Sequence, residues 1–410
     1  MFTPIPDRRR DPVSTSFTAA GPAAPDAARA PRRSLAPDLA RGLMLLVIAL
    51  VHAHMFVAVA PPLSTGYPSE GTVLDRTAAA VLTLLADGRG YPMFAALFGY
   101  GLARILARQE ARGRGWPAAR RLLRRRAWWL LAFGACHALL LFGGDILGPY
   151  GLLALLLVGL LRLSDRALLW TAAACAAVLP VLYNIAYTSL MMATGSAASG
   201  AGTTDPLTDA GLRIATWPIT SLMFAVAAAA PFLVGMWAGR HRLLDHPERH
   251  VTLLRRATAV GISAAVLGGL PLAAVNALVW EDPSTTALIA VNTLHSVSGY
   301  LGGFGYAALI GLLAARFADR RGPVVTALAA CGERSMTCYL LQSVAWMVLF
   351  TPYYLGVGEH VGVALSVAVA VAVWLTGIAV AEVLRRAGRR GPAEALLRRL
   401  AYGRPAAAAR

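Results

Sequence analysis

The sequence predicts an all-α fold: a polytopic membrane helix bundle of about ten transmembrane helices, with both termini on the cytoplasmic side (N-in/C-in). Three observations predict it. Of 410 residues, 57% are hydrophobic and only 14% charged, with a mean hydropathy of +0.58. An ordinary soluble domain is about 25% charged, so this chain has too little polar surface to cover itself in water. Apolar runs of membrane-crossing length recur along it, and the basic residues fall in alternate gaps between those runs.

The first element is not a helix. Residues 1–36 are rich in Pro, Ala, Ser and Arg without apolar periodicity, and read as a disordered cytoplasmic tail. Arg32-Arg33 before an apolar run, with Ala58-Val59-Ala60 after it, imitates a twin-arginine signal, but Pro61 disfavours cleavage there. A bilayer core needs about 20 apolar residues per helix. On that basis the spans run over 42–60, 91–107, 127–142, 146–161, 167–192, 215–239, 257–280, 287–315, 335–351 and 361–384. The apolar stretch 73–86 stops at the Asp87-Gly88-Arg89-Gly90 break. It is too short to cross and reads as a re-entrant or interfacial helix. Residues 37–386 thus form the membrane domain and 387–410 a cytoplasmic C-terminal tail.

The net charge is +17, and every one of the 38 basic residues is arginine. A charge of this size invites a nucleic-acid reading. Placement decides against it: with the N-terminus inside, all the arginines but Arg76, Arg89 and Arg213 fall in segments on the cytoplasmic side. One missed helix would invert every later gap, so the charge is topogenic and no nucleic-acid partner is expected. Trp116, Trp128, Trp129 and Trp237 on one rim, with Tyr67, Tyr150, Trp280, Tyr353 and Tyr354 on the other, read as aromatic belts. Cys136, Cys175, Cys331 and Cys338 lack metal-site spacing, so neither a structural metal nor a disulfide framework is expected.

Polar residues inside the spans are the candidates for function, because each is costly in hydrocarbon. His52 and His137 each lie about 15 Å into their helices from the cytoplasmic side, and His295 about 12 Å below the outer surface. His54 is two residues from His52, about 200° around the helix, so at most one of them faces a given interior point. Asp145 follows the Gly143-Gly144 break. It suits the N-cap of the next helix, and it is equally placed to charge-pair His137. Asn184, Asn276 and Asn292 lie at comparable outer depths. Each histidine also has a plain alternative as interhelical glue, bonded to a carbonyl or a Ser/Thr hydroxyl on a neighbour. Ala95, Gly99 and Ala103 form a small-residue stripe, most simply a helix-packing face.

Several motifs carry a family resemblance. Asp38-Leu39-Ala40-Arg41-Gly42, Tyr91-Pro92-Met93-Phe94 with Leu97 to Gly101, and His137 with Gly144-Asp145-Ile146-Leu147 and Tyr150 resemble the domain-of-unknown-function family 418 of YeiB-like membrane proteins. So do the segment 235–240, Gly332, Thr337, Tyr339, Leu340, Leu341, Gln342 and Ser343, and Arg390-Gly391-Pro392 to Tyr402. Two positions depart from its pattern: His52 and Cys338 stand where asparagine is common. At the D-x-x-R-G level the chain also resembles transmembrane acyltransferases, among them heparan-alpha-glucosaminide N-acetyltransferase and the acyltransferase-three proteins.

That second resemblance implies a membrane acyltransferase of the bacterial cytoplasmic membrane, moving an acyl group from cytoplasmic acyl-CoA to an envelope glycan or lipid. It makes acyl-CoA a co-substrate rather than a resident cofactor. His137, Asp145 and His52 are the catalytic candidates. His295, Asn292, Arg41, Asp38, Tyr339 and Gln342 are the substrate-binding ones, and Arg41 with the cluster 120–126 stands where a coenzyme A phosphate would approach. The alternatives are a small-molecule or lipid transporter of the inner membrane, which buried polar groups also suit, and a scaffold for envelope enzymes. Nothing resembles a P-loop, a dinucleotide fingerprint, a G-x-S-x-G elbow or an H-E-x-x-H site. Membrane lipids are the expected surroundings.

Overall fold

The computed structural model describes residues 1–3, 34–194, 204–318 and 321–402. The described helices all belong to the unit Ser34–Arg410. They are α1 (Leu35–Met55), α2 (Val73–Leu85), α3 (Gly90–Glu110), α4 (Trp116–Leu140), α5 (Leu147–Leu157), α6 (Asp165–Thr194), α7 (Pro206–Arg240), α8 (Val251–Asn276), α9 (Thr285–Arg316), α10 (Pro323–Glu333), α11 (Ser335–Phe350), α12 (Val363–Arg386) and α13 (Pro392–Tyr402). No strand occurs among the described residues, only an isolated bridge between Pro62 and Pro68.

Each expected span falls on a helix. Six of them, α1, α6, α7, α8, α9 and α12, are long and apolar enough to cross a bilayer. α3 and α4 are long but carry arginines at one end, whereas α5 and α11 have 11 and 16 residues. The break before α3 is present, and α2 is a separate 13-residue helix opened by a Thr72/Asp75 capping box. The tail expected over residues 1–36 falls mostly outside the described residues. Its last two residues already belong to α1, which begins at Leu35.

The C-terminal segment 387–410 contains one more helix. Pro392–Tyr402 is a helix that packs on α4 and α11. The Glu394 carboxylate accepts from the Met336 amide (2.7 Å), the Thr337 amide (3.1 Å) and the Thr337 hydroxyl (2.5 Å). Those are orphan donors of the first turn of α11, where a carboxylate is also favoured by the helix dipole.

Small residues set the helix spacing. A Cβ on Gly99 would strike the Phe232 carbonyl, and one on Gly235 the Ala96 carbonyl, so α3 and α7 approach at backbone distance along the predicted stripe. Gly261 and Gly268 do the same for α8 against α9. The main core lies between α3, α4, α5, α7 and α11, around Phe232, Leu102, Leu123 and Tyr150. Tyr150 and Tyr67, expected in an interfacial belt, are instead buried at 3% and 2% exposure. Each spends its hydroxyl inside the protein, Tyr150 on the Tyr91 carbonyl and Tyr67 on Asp87.

Candidate functional site

α4 starts with Pro117 in its first turn and ends where Leu141 and Phe142 bond back to the His137 carbonyl, 2.8 and 3.0 Å. The Gly143-Gly144 break turns the chain back, and Asp145 opens α5. Its Oδ1 accepts from the Leu147 amide (3.0 Å) and its Oδ2 from the Gly148 amide (2.6 Å) and the Trp217 indole (3.4 Å). The same carboxylate lies 3.1 Å from His137 Nδ1, with side chains exposed by 1% and 0%. Asp145 therefore caps α5 and lies beside His137 in one arrangement. The ring and the carboxylate meet as a close polar contact rather than an aligned hydrogen bond, since Nδ1 lies off the bonding line. Gly134 and Gly148 make the room, because a Cβ on either would meet the Asp145 carboxylate.

The other ring nitrogen faces α11: His137 Nε2 and Ser343 Oγ are 2.8 Å apart. With the proton on Nδ1, toward Asp145, Nε2 accepts from the serine hydroxyl. That hydroxyl otherwise donates to the Tyr339 carbonyl (3.3 Å). Tyr339, Gln342, Ser343 and Trp346 recur at i, i+3, i+4 and i+7 on one buried face of α11. Gln342 Oε1 and Trp346 Nε1 have no protein partner, and the Tyr339 hydroxyl lies within reach of the Ile146 backbone and the Ser343 side chain. The Tyr339 ring is 5.0 Å from His137 and 6.5 Å from His52, which also packs on Phe142 at 4.8 Å. Gln342 Nε2 donates to the Leu45 carbonyl (3.1 Å) and ties α11 to α1.

The structure thus brings together His137, Asp145, His52, Tyr339 and Gln342. Ser343, which sequence reasoning did not single out as a site residue, joins them. Its signal was present in the spacing from Tyr339, but a lone serine in an apolar helix looks the same as one bonded back to its own helix. Asp38 and Arg41 pair with each other at 3.2 Å near the start of α1. Asn292 donates to its own helix at Leu288 O (2.9 Å).

His295 contacts a different group of residues. Its ring nitrogens lie 3.0 and 2.9 Å from Nη1 of Arg89, a side chain with no exposed surface. Arg89 also donates to the Asp87 carbonyl (2.6 Å) and the Ala265 carbonyl. Gly269 and Gly302 leave space for its guanidinium and stem. Asp87 accepts from Tyr67, whose ring stacks on His54 at 4.0 Å. Burial, then the Asp87 charge, pushes the Tyr67 hydroxyl well above its ordinary pKa, so it stays a donor. His52 and His54 therefore face separate networks on opposite sides of the last turn of α1, as their 200° separation requires.

The arginine cluster divides in a similar way. Pro117, Arg120, Arg121, Arg124, Arg125, Trp128 and Trp129 line a groove of about 780 Å³. Trp128 and His137 are nine residues apart, about 180° around α4. The groove therefore opens away from the His137 face. Only Arg126, eleven residues from His137, lies beneath it on the same face.

Buried histidine, carboxylate, serine and tyrosine side chains, held in a bundle of apolar helices, define the protein as a multi-pass α-helical membrane protein with an interior polar site. The comparisons show what the chain is similar to. Residues 238–404 match the family described as "Protein of unknown function (DUF418)". The chain is 28% identical to "Uncharacterized protein YeiB" of Escherichia coli (strain K12), over 90% of this chain and 96% of that protein. It is 26% identical to "Uncharacterized protein YxaH" of Bacillus subtilis (strain 168), over 80% of this chain and 83% of that protein. The C-terminal part of the chain thus resembles the DUF418 family, and most of its length is similar to YeiB and YxaH, in keeping with the motifs. The matched segment contains His295, Tyr339, Gln342 and Ser343. His52, His137 and Asp145 lie ahead of it, within the stretch shared with YeiB.

Proposed function

We propose that the protein is an acyltransferase of the bacterial cytoplasmic membrane, which moves an acyl group from acyl-CoA to an envelope glycan or lipid. The observation that carries this reading is the Ser343–His137–Asp145 arrangement: 2.8 Å from hydroxyl to Nε2 and 3.1 Å from Nδ1 to carboxylate. A nucleophile, a base and an orienting carboxylate in that order are what stepwise acyl transfer needs. His137 takes the Ser343 proton as Oγ attacks the thioester carbonyl. The C–S bond breaks, and the proton passes to the departing thiolate. The acceptor hydroxyl then attacks the serine ester as His137 takes its proton, the C–Oγ bond breaks, and His137 returns the proton to Oγ, which regenerates Ser343 and the neutral imidazole. Asp145, fixed by two amides and an indole N–H, stabilises the imidazolium in both halves. The Tyr339 hydroxyl, within hydrogen-bonding reach of Ser343, is the nearby donor for the oxyanion. His52 shapes the same pocket, and burial of the group limits hydrolysis of the ester.

The test uses purified protein in liposomes containing envelope lipids, given radiolabelled acyl-CoA. Wild-type protein is expected to acquire a hydroxylamine-labile label that Ser343→Ala does not. His137→Ala is expected to lose about 10²–10⁴ in transfer rate at equal folded protein. Solute flux without acyl transfer, abolished by either substitution, would replace this reading with that of a permease.

A further inference from the structure

The arginine groove of α4 is not used by the chemistry above. Its lining follows the helical repeat: Arg120, Arg121, Arg124, Arg125, Trp128 and Trp129 stand at i, i+1, i+4, i+5, i+8 and i+9 on one face and enclose about 780 Å³. The four arginines are exposed, and none of them makes a hydrogen bond or ion pair among the described residues. No carboxylate lines the groove. Arg120 with Arg124, and Arg121 with Arg125, are i,i+4 neighbours of like charge, an arrangement that destabilises a helix. Water solvates a guanidinium without neutralising it, so these charges are left for an anion to offset. Topogenic charge accounts for arginines at this end of α4 in any arrangement, but does not require four of them on one face.

The groove changes character along the helix. Trp128, 56% exposed, and Trp129 close its far end. The same outward face continues through Ala132, Cys136 and Leu139, which are apolar and exposed. They stand at i+4, i+8 and i+11 from Trp128, so the apolar track runs about 17 Å beyond it at 1.5 Å per residue. A cationic groove that opens onto such a track fits an amphiphile, with its charge at the arginines and its chain along α4. A nucleotide or a free phosphate would use the first part alone. The number of arginines sets the number of anionic groups. A guanidinium grips phosphate oxygens with paired N–H bonds. One phosphodiester, with its single negative charge, leaves most of the repulsion standing, whereas two phosphates give each i,i+4 pair its own partner.

We infer that the groove binds the headgroup of a membrane lipid carrying two phosphates, each held by one i,i+4 arginine pair, with an acyl chain lying along Trp128, Ala132, Cys136 and Leu139. Basic pockets on membrane proteins are known to hold anionic headgroups in this way. The inference is independent of the acyltransferase reading. The groove lies about 180° around α4 from His137, so the lipid is bound there without being a reactant.

The test needs no acyl donor. Full-length protein in detergent is titrated with tetraoleoyl cardiolipin, dioleoyl phosphatidylglycerol, dioleoyl phosphatidylcholine and inorganic pyrophosphate, and bound molecules are counted by native mass spectrometry. One saturable cardiolipin is expected, held about tenfold more tightly than phosphatidylglycerol at equal total phosphate. Arg121→Gln with Arg125→Gln should weaken it about tenfold. Arg112→Gln with Arg114→Gln, which removes the same charge from the loop before α4, should leave it unchanged. Should the first double variant fail to fold, Arg120→Gln with Arg124→Gln carries the same expectation. Equal weakening by the loop substitutions would show diffuse attraction to charge. Phosphatidylglycerol as tight as cardiolipin would show a headgroup with one phosphate, and saturation by pyrophosphate alone a soluble anion. Each of these results, like the absence of a saturable cardiolipin, would overturn the assignment.

Discussion

Gly134→Ala puts the proposed chemistry under direct strain. A Cβ at this position of α4 would sit 2.5 Å from Gly148 Cα and closer still to the Asp145 carboxylate. Carbon contacts settle at about 3.5–4.0 Å, so α4 and the start of α5 must part by about 1 Å and the carboxylate must move with them. Overpacking of this kind costs about 1–3 kcal/mol, which a fluorescence-detected melt resolves. A 1 Å misplacement within a reacting group costs about 10²-fold in rate. Gly151→Ala is the control: its Cβ would press on the same interface, 2.7 Å from the Ala127 carbonyl and 2.8 Å from the Leu131 amide, away from Asp145. Both variants should melt earlier, and only Gly134→Ala should lose transfer at equal folded protein. Equal loss in the two, or wild-type transfer in Gly134→Ala, would refute the role given to Asp145.

Asp145→Asn, which keeps an amide-accepting oxygen and loses the charge, should lower acyl transfer about 10²–10⁴-fold with little change in melting temperature; a melt as depressed as the rate would count against it. Arg213 donates to the Ala138 (3.1 Å) and Leu139 (3.0 Å) carbonyls at the end of α4 and pairs with Asp209, which accepts from Tyr353 at 2.7 Å. Arg213→Gln leaves those groups short of partners and should cost about 1–3 kcal/mol in thermal unfolding. Asp75 is held below its ordinary pKa of 3.8: partial burial opposes this, but the Thr72 hydroxyl and the Ala364 and Thr72 amides outweigh it. Its stabilisation is complete above the ordinary value and is lost as pH falls through the lowered one. Melting scanned from about pH 5 to about pH 3 should therefore show a loss in the wild type that Asp75→Asn flattens.

The sequence made the helices legible because an apolar run of bilayer length has few other uses, and because Gly-Asp breaks interrupt it visibly. It also made His137 and Asp145 legible as a pair, since eight residues spanning a tight glycine turn leave them little room to separate. Depth along a helix, however, is one coordinate of three. His295 matches His137 in depth and still turns to Arg89, because azimuth depends on which helices are neighbours. Arg89 itself was counted only as an exception to the charge rule. Its socket of glycines on α8 and α9 comes from parts of the chain that no local pattern connects. Ser343 and the α13 helix were missed for related reasons: a hydroxyl has two ordinary uses in an apolar helix, and an eleven-residue polar helix has no membrane signature.

The Glu394 anchor bears on when the protein becomes competent. The amide of Thr337 finds its carboxylate partner 57 residues further along the chain. At about 5–20 residues per second of synthesis, roughly 3–11 s separate the emergence of one from that of the other. His137 and Asp145 lie much closer together in the chain and are free to pair early. The first turn of α11, the helix that carries Ser343, therefore waits for a partner made later than either His137 or Asp145, so the order of synthesis sets the order in which these parts of the bundle are fastened.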